Sequence, residues 1–101
     1  MKTVVITGSA RGFGFEMLKL FRKNNFDVVL CDISKSALEN ANNELERFKS
    51  KGKILSIEAD ITKELDVNNL INKTLEEFKT IDIWINNAGV NQPNKPIWEL
   101  E

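Results

Sequence analysis

Thr7-Gly8-Ser9-Ala10-Arg11-Gly12-Phe13-Gly14 is the stretch whose reading decides the fold. It joins an apolar run, Val4-Val5-Ile6, to an amphipathic run that begins at Gly12. A continuous apolar run suits a strand buried on both faces, as in a parallel sheet, so a first strand is predicted over Lys2–Thr7. A helix is predicted over Gly12–Lys23. Phe13, Met17, Leu20 and Phe21 fall at i, i+4, i+7 and i+8 along it, one face of a 3.6-residue period. Asn24-Asn25 can end this helix, because asparagine tolerates the left-handed conformation at a C-terminus. The N-terminus of a helix presents unpaired N–H groups and the positive end of the dipole, which together attract a phosphate. Glycines let the preceding backbone bend sharply and approach a diphosphate with no side chain in the way. The spacing is G-x-x-x-G-x-G rather than the commoner G-x-G-x-x-G, and a plain strand-to-helix turn is the alternative. The strand and helix on the correct sides favour the phosphate reading.

Working outward, a second strand is predicted over Phe26–Asp32, again with a continuous core, Val28-Val29-Leu30. Ser34 or Ser36 can cap the next helix, and Ser36 with Glu39 matches the S-x-x-E capping box. Leu38, Ala41, Leu45 and Phe48 form its expected buried stripe, and Gly52 closes it. A third strand is predicted over Lys53–Ala59. Thr62 is the expected cap of a third helix carrying Leu65, Leu70, Ile71, Leu75 and Phe78. A fourth strand, Ile81–Ile85, ends at Asn86-Asn87-Ala88-Gly89, and residues 90–96 read as loop. The order is β-α-β-α-β-α-β. Parallel strands need crossover connections, and these are right-handed. The expected fold is therefore α/β: a three-layer, Rossmann-like open parallel sheet in order 3-2-1-4. Strands 1 and 4 flank the reversal of winding, and ligands bind there at the strand carboxyl ends. Asp32, at the tip of strand 2, can accept hydrogen bonds from ribose hydroxyls of a dinucleotide, or merely cap the adjoining turn or helix. The glycine turn upstream favours the ribose role.

Composition sets the outer bounds. The 101 residues are 42% hydrophobic and 29% charged, ordinary for one small globular domain. Fourteen Lys+Arg oppose fifteen Asp+Glu, for a net charge of −1, so no overall pull toward nucleic acid or an anionic membrane is expected. No apolar run approaches bilayer length, and no secretory signal is visible. A single cysteine, Cys31, cannot form an internal disulfide, which fits a reducing cytoplasm. It reads as a small core residue. Histidine and tyrosine are both absent, which removes the usual imidazole and phenol proton carriers. With no histidine and no clustered cysteine, no metal site is expected.

These motifs together resemble the short-chain dehydrogenase/reductases, in the branch with T-G-x-x-x-G-x-G and N-N-A-G. Residues 7–14 match the first motif and residues 86–89 the second. Asp60-Ile61-Thr62 looks like the family's short acidic motif, whose aspartate lies by the adenine. The resemblance implies a nicotinamide-dinucleotide site made by Gly8, Ser9, Arg11, Gly12, Phe13, Gly14, Asp32, Ile33, Asp60, Ile61, Asn86, Ala88 and Gly89. Gly8, Gly12 and Gly14 would frame the diphosphate turn, and Phe13, where the family usually has an aliphatic residue, would give its N–H to a phosphate. Asp32 would hold the ribose diol, and Asp60 with Ile61 would meet the adenine. Asn87 would brace the sheet. Asn86, Ala88 and Gly89 would line the crevice through their backbones.

The family moves hydride between a nicotinamide and a carbonyl or alcohol, using a serine, a tyrosine and a lysine that lie well beyond N-N-A-G. Those elements fall outside these 101 residues, so no catalytic residue is assigned. The expectation is the cofactor-binding part of an oxidoreductase, truncated after strand 4 and inactive alone. A small-molecule substrate would enter only in a complete enzyme. NAD is expected over NADP. The extra phosphate of NADP would face the Asp32 carboxylate, a repulsion on the order of 4 kcal/mol per charge pair at intermediate dielectric. Arg11 is a counterweight, because guanidinium pairs with phosphate and a basic residue before the second motif glycine often accompanies NADP in this family. The open side of strand 4 predicts a homo-oligomer that covers it, or poor solubility. A stand-alone nucleotide-sensing module and an oligomerising fragment without useful binding are the alternatives.

Overall fold

The computed structural model describes residues 1–87. The expected positions Ala88 and Gly89, and the tail with Pro93, Pro96 and Trp98, lie outside the described residues. The elements are β1 (Thr3–Ile6), α1 (Gly12–Lys23), β2 (Asp27–Asp32), α2 (Lys35–Glu46), β3 (Ile54–Glu58), α3 (Glu64–Phe78) and β4 (Ile83–Ile85). All strand pairs are parallel and the sheet order is β3-β2-β1-β4. Ile6 pairs with Leu30 and with Ile85, and Asp32 pairs with Glu58, so the strand carboxyl ends are aligned.

The continuous apolar runs are explained by two cores. Successive strand side chains point to opposite faces. Val4, Ile6, Val28 and Leu30 pack under α1 and α2 with Phe15, Leu18, Leu38, Ala41 and Leu45. Val5, Val29, Cys31 and Ile57 pack on the other face with Leu70 of α3. Burying each large aliphatic chain contributes about 1.5–3 kcal/mol, and these strands do so on both sides of the sheet.

The helix faces and ends depart from expectation in instructive ways. The inward face of α1 is Phe15, Leu18 and Arg22, with Met17 and Phe21 at its flank. Phe13 and Leu20, expected inside, are 60% and 62% exposed. Phe15 and Leu18 take the core-facing side instead, and Arg22, one turn beyond Leu18, is buried with them: its guanidinium donates to Leu45 O (2.8 Å), Gly52 O (2.8 Å) and Phe48 O (3.2 Å). Asn25 ends α1 at φ 65°, as the Asn-Asn pair suggests. Asn25 N–H donates to Arg22 O and Phe26 N–H to Phe21 O, a Schellman closure, with the Phe26 ring edge-on to Phe21 at 4.9 Å.

Ser34, not Ser36, caps α2: its Oγ accepts the Ala37 N–H at 3.2 Å. Phe48 falls beyond α2, which ends at Glu46, and lies under the Lys23 ammonium. Gly52 does not cap α2. It is buried where a Cβ would overlap the Phe26 carbonyl, so only glycine permits this approach. Thr62 does not cap α3, whose N-cap is Lys63; the Thr62 hydroxyl is held by Asp60 instead. Leu65, expected inside, is 81% exposed, since it stands in the first turn away from the sheet. Pairing in β4 begins two residues later than expected because the Asp82 carboxylate accepts the Thr3 N–H at 2.8 Å.

Candidate functional site

The glycine turn sits at the carboxyl end of β1 and is tied to both neighbouring strands. Gly8 and Gly12 have φ of 61° and 62°, which a side chain would strain. Ser9 is fully buried. Its N–H donates to Cys31 O (2.9 Å) and its Oγ accepts the Cys31 N–H (3.0 Å), so it continues the ladder to β2 rather than facing a ligand. On the other side, Asn87 Nδ2 donates to Gly8 O and Asn87 N–H to Thr7 Oγ1, each at 3.0 Å. A Cβ on Gly14 would overlap the Asn87 amide and come within 2.9 Å of Gly8 O. Gly14 is therefore required for packing α1 against the end of β4. Asn87 braces the glycine turn as well as the sheet.

The start of α1 suits an anion. Arg11 at the N-cap makes no side-chain capping bond, and the first turn carries no acidic residue. The helix N–H groups and dipole are thus opposed by no carboxylate of the helix's own first turn. A Cβ on Gly12 would meet nothing within 4 Å, so the backbone is bare on the side where a phosphate would approach. Phe13 stands exposed beside it.

Asp32 meets this turn directly. It is only 6% exposed, and its Oδ2 accepts the Ala10 N–H at 3.2 Å while Oδ1 accepts the Ser34 N–H at 3.2 Å. Arg11 reaches back to Asp32 Oδ1 at 3.7 Å with a side chain 70% exposed. The carboxylate is thereby fixed at the mouth of the turn, and each oxygen retains acceptor capacity. Ile33, next in the chain, is exposed beside it. Behind it, burial pushes the Cys31 thiol up to about 11, with the Asp32 charge adding to the shift. Cys31 is a packed thiol and not a nucleophile at neutral pH.

Asp60 and Ile61 follow β3 at the same end of the sheet, where Ala59 N–H donates to Asp32 O at 3.0 Å. Thr62 donates to Asp60 Oδ1 from its hydroxyl (2.6 Å) and its N–H (2.9 Å), which holds that carboxyl below its ordinary range. Ile61 packs against the α3-side core. Asn86 Oδ1 accepts from Trp84 Nε1 at 3.0 Å and from Thr7 Oγ1 at a long 3.5 Å. The structure thus brings Gly8, Gly12, Phe13, Gly14, Arg11, Asp32, Ile33, Asp60, Ile61 and Asn86 to one end of the sheet, with Ser9 spent inside it. A groove of about 600 Å³ between α2 and β3, walled by Lys35, Glu39, Asn42, Ser56 and Glu58, shares none of these residues. Among the described residues no helix is long and apolar enough to cross a membrane.

A glycine turn after β1, a buried carboxylate at the end of β2 and parallel βαβ winding in the order β3-β2-β1-β4 define a Rossmann-type sheet. The chain belongs to the short-chain dehydrogenase family, whose model matches residues 2–101. Oxidoreductases of this family bind nicotinamide cofactors. A chloroplastic chlorophyll(ide) b reductase of Oryza sativa subsp. japonica is 37% identical over 97 residues, which are 95% of this chain and 28% of the relative. A short chain dehydrogenase structure from Bacillus anthracis superposes with a TM-score of 0.78 at 38% identity, over 86% of this chain and 34% of that one. A 3-ketoacyl-(acyl-carrier-protein) reductase from Brucella melitensis, complexed with NADH, gives 0.72 at 36% identity, over 82% and 32%. The chain therefore spans about a third of the length of the proteins it matches.

Proposed function

We propose that this chain is a single domain forming the cofactor-binding part of an oxidoreductase that moves hydride between a nicotinamide dinucleotide and a carbonyl or alcohol. When bound, the dinucleotide would supply the hydride-accepting or hydride-donating ring. The chain's own residues bind and orient it. Main-chain N–H groups of residues 12–14 take the diphosphate, Asp32 takes the adenosine ribose diol, and Asp60 with Ile61 takes the adenine.

The observation that carries the reading is the placement of the Asp32 carboxylate against Ala10 N–H, at the mouth of an uncapped helix N-terminus. NAD is favoured over NADP because an added phosphate would approach a buried, doubly hydrogen-bonded carboxylate. Titration calorimetry with NAD, NADP and AMP tests this. NAD is expected to bind more tightly than NADP, and Asp32→Ala is expected to erase that preference. Absence of binding by all three would refute the reading. Arg11, within ion-pair distance of Asp32, supports a second reading in which it turns outward to an NADP phosphate. Loss of NADP but not NAD affinity in Arg11→Ala would favour it.

The outer side of β4, which ends the sheet among the described residues, is proposed to be covered by a second copy. Purely monomeric sedimentation at high concentration would refute that assembly. A buried, unpaired Cys31 is consistent with a cytoplasmic setting.

A further inference from the structure

The corner after β3 is held by a residue with no role in the site so far. Asp66, in the first turn of α3, accepts the Asp60 N–H through Oδ2 at 2.8 Å. Its own N–H donates to Lys63 O at 3.1 Å, so the carboxylate is anchored on the helix that it leaves. Asp60 N–H lies past the end of β3, and the Asp66 carboxylate is its partner. From the opposite side, Thr62 occupies Asp60 Oδ1 with two donors. Asp60 Oδ2 has no hydrogen-bond partner among the described residues.

We propose that Asp66 is a positioning residue for purine recognition: by fixing the Asp60 main chain while Thr62 fixes Asp60 Oδ1, it aims the free Asp60 oxygen and Ile61 at the base of the bound dinucleotide. This rests on the dinucleotide reading above. An ionised carboxylate only accepts hydrogen bonds, so a fixed one rewards an exocyclic amino group and penalises an oxo group at the same place. A site that hydrogen-bonds a substrate group discriminates strongly against an analogue lacking it. The corner therefore selects a 6-aminopurine over a 6-oxopurine, and Asp66 sustains the selection without touching the base. Loss of Asp66 frees the Asp60 amide and lets the corner rotate.

The test is calorimetric titration of the full chain with AMP and with IMP, alongside thermal melts. Wild type is expected to prefer AMP. Asp66→Ala is expected to weaken AMP about tenfold and bring the AMP-to-IMP ratio toward one. Asp66→Asn keeps an acceptor oxygen and is expected to retain both affinity and ratio. A merely structural role would lower the melting temperature and leave the ratio unchanged. An unchanged ratio in folded Asp66→Ala overturns the proposal. Should that variant fail to fold, the exposed Thr62→Val change removes the shorter of the two bonds to Asp60 Oδ1 and keeps the Thr62 N–H bond; a smaller fall in the ratio is expected there, and an unchanged ratio overturns the proposal equally. A wild type that binds NAD but treats AMP and IMP alike overturns the proposal alone. A wild type that binds neither NAD nor AMP overturns the dinucleotide reading together with it.

Discussion

Replacing Arg22 with methionine keeps an unbranched apolar stem and removes every donor. In the folded chain the guanidinium bridges three carbonyls: Leu45 at the end of α2, Phe48 just beyond it, and Gly52 before β3. No carboxylate pairs with Arg22 among the described residues, so these bonds offset its burial. Leu45 O also accepts the Phe48 N–H at 3.1 Å and keeps a partner after the change. Phe48 O and Gly52 O lose theirs, at about 1–3 kcal/mol for each stranded carbonyl. Removing the guanidinium returns part of its desolvation cost, which leaves a net loss of about 3 kcal/mol. A domain of this size has about 5–15 kcal/mol in total, so the change is a large share. With a urea slope of about 1.5 kcal/mol/M the midpoint should fall by about 2 M. Urea titration followed by far-ultraviolet circular dichroism reads this directly. Arg22→Lys should fall between the two, because one ammonium cannot present three directed donors to three separated carbonyls. A midpoint for Arg22→Met within about 0.3 M of wild type would show that the three bonds merely break even with burial, and the reasoning would fail.

Gly12→Ala and Gly14→Ala should separate binding from folding. At Gly12 the added Cβ meets only open space but φ is positive, so a loss of about 1–2 kcal/mol is expected, with dinucleotide affinity in calorimetry reduced far more than stability. At Gly14 the Cβ overlaps the Asn87 amide, so both stability and affinity should fall, with about 1–3 kcal/mol seen in urea melts. Asp32→Asn should weaken NAD and lessen the NAD-over-NADP preference, read by competitive titration. The Cys31 thiol is raised from 9.0 to about 11, so the folded chain binds more protons than the unfolded chain between those values. Its stabilising contribution is complete below pH 9 and is lost as pH rises through about 11. That amounts to about 2–3 kcal/mol, measured as the pH dependence of urea midpoints in wild type minus that in Cys31→Ala.

Strand order, and the gathering of the candidate residues at the strand carboxyl ends, were legible in the sequence because they depend on patterns of backbone and burial. Val4-Val5-Ile6 and Val28-Val29-Leu30 are apolar on both faces, and only a two-sided sheet buries them so. Gly8 and Gly12 mark left-handed backbone that other residues adopt at a cost. What stayed hidden depended on which partner a polar side chain finds. A periodicity that runs through Phe13 places Arg22 outside, yet Arg22 is buried beside Phe15 and Leu18, its donors taken by three carbonyls. A hydroxyl at Ser9 reads as ligand-facing until the Cys31 backbone is seen to consume it. Thr62 and Ser36 are both good caps by type, and in each case a nearby residue takes the cap position. Asp66 carried one faint signal, an acid in the first turn of a helix, which the dipole alone would account for.

The bend after β1 is stitched at Ser9, Ala10 and Gly8 to three different residues on two neighbouring strand ends. A diphosphate bound there as proposed would meet amides that are already aimed. Capture is expected to proceed in one exponential phase whose rate climbs linearly with concentration in stopped-flow mixing. A plateau would reveal a slow rearrangement that such stitching leaves no room for.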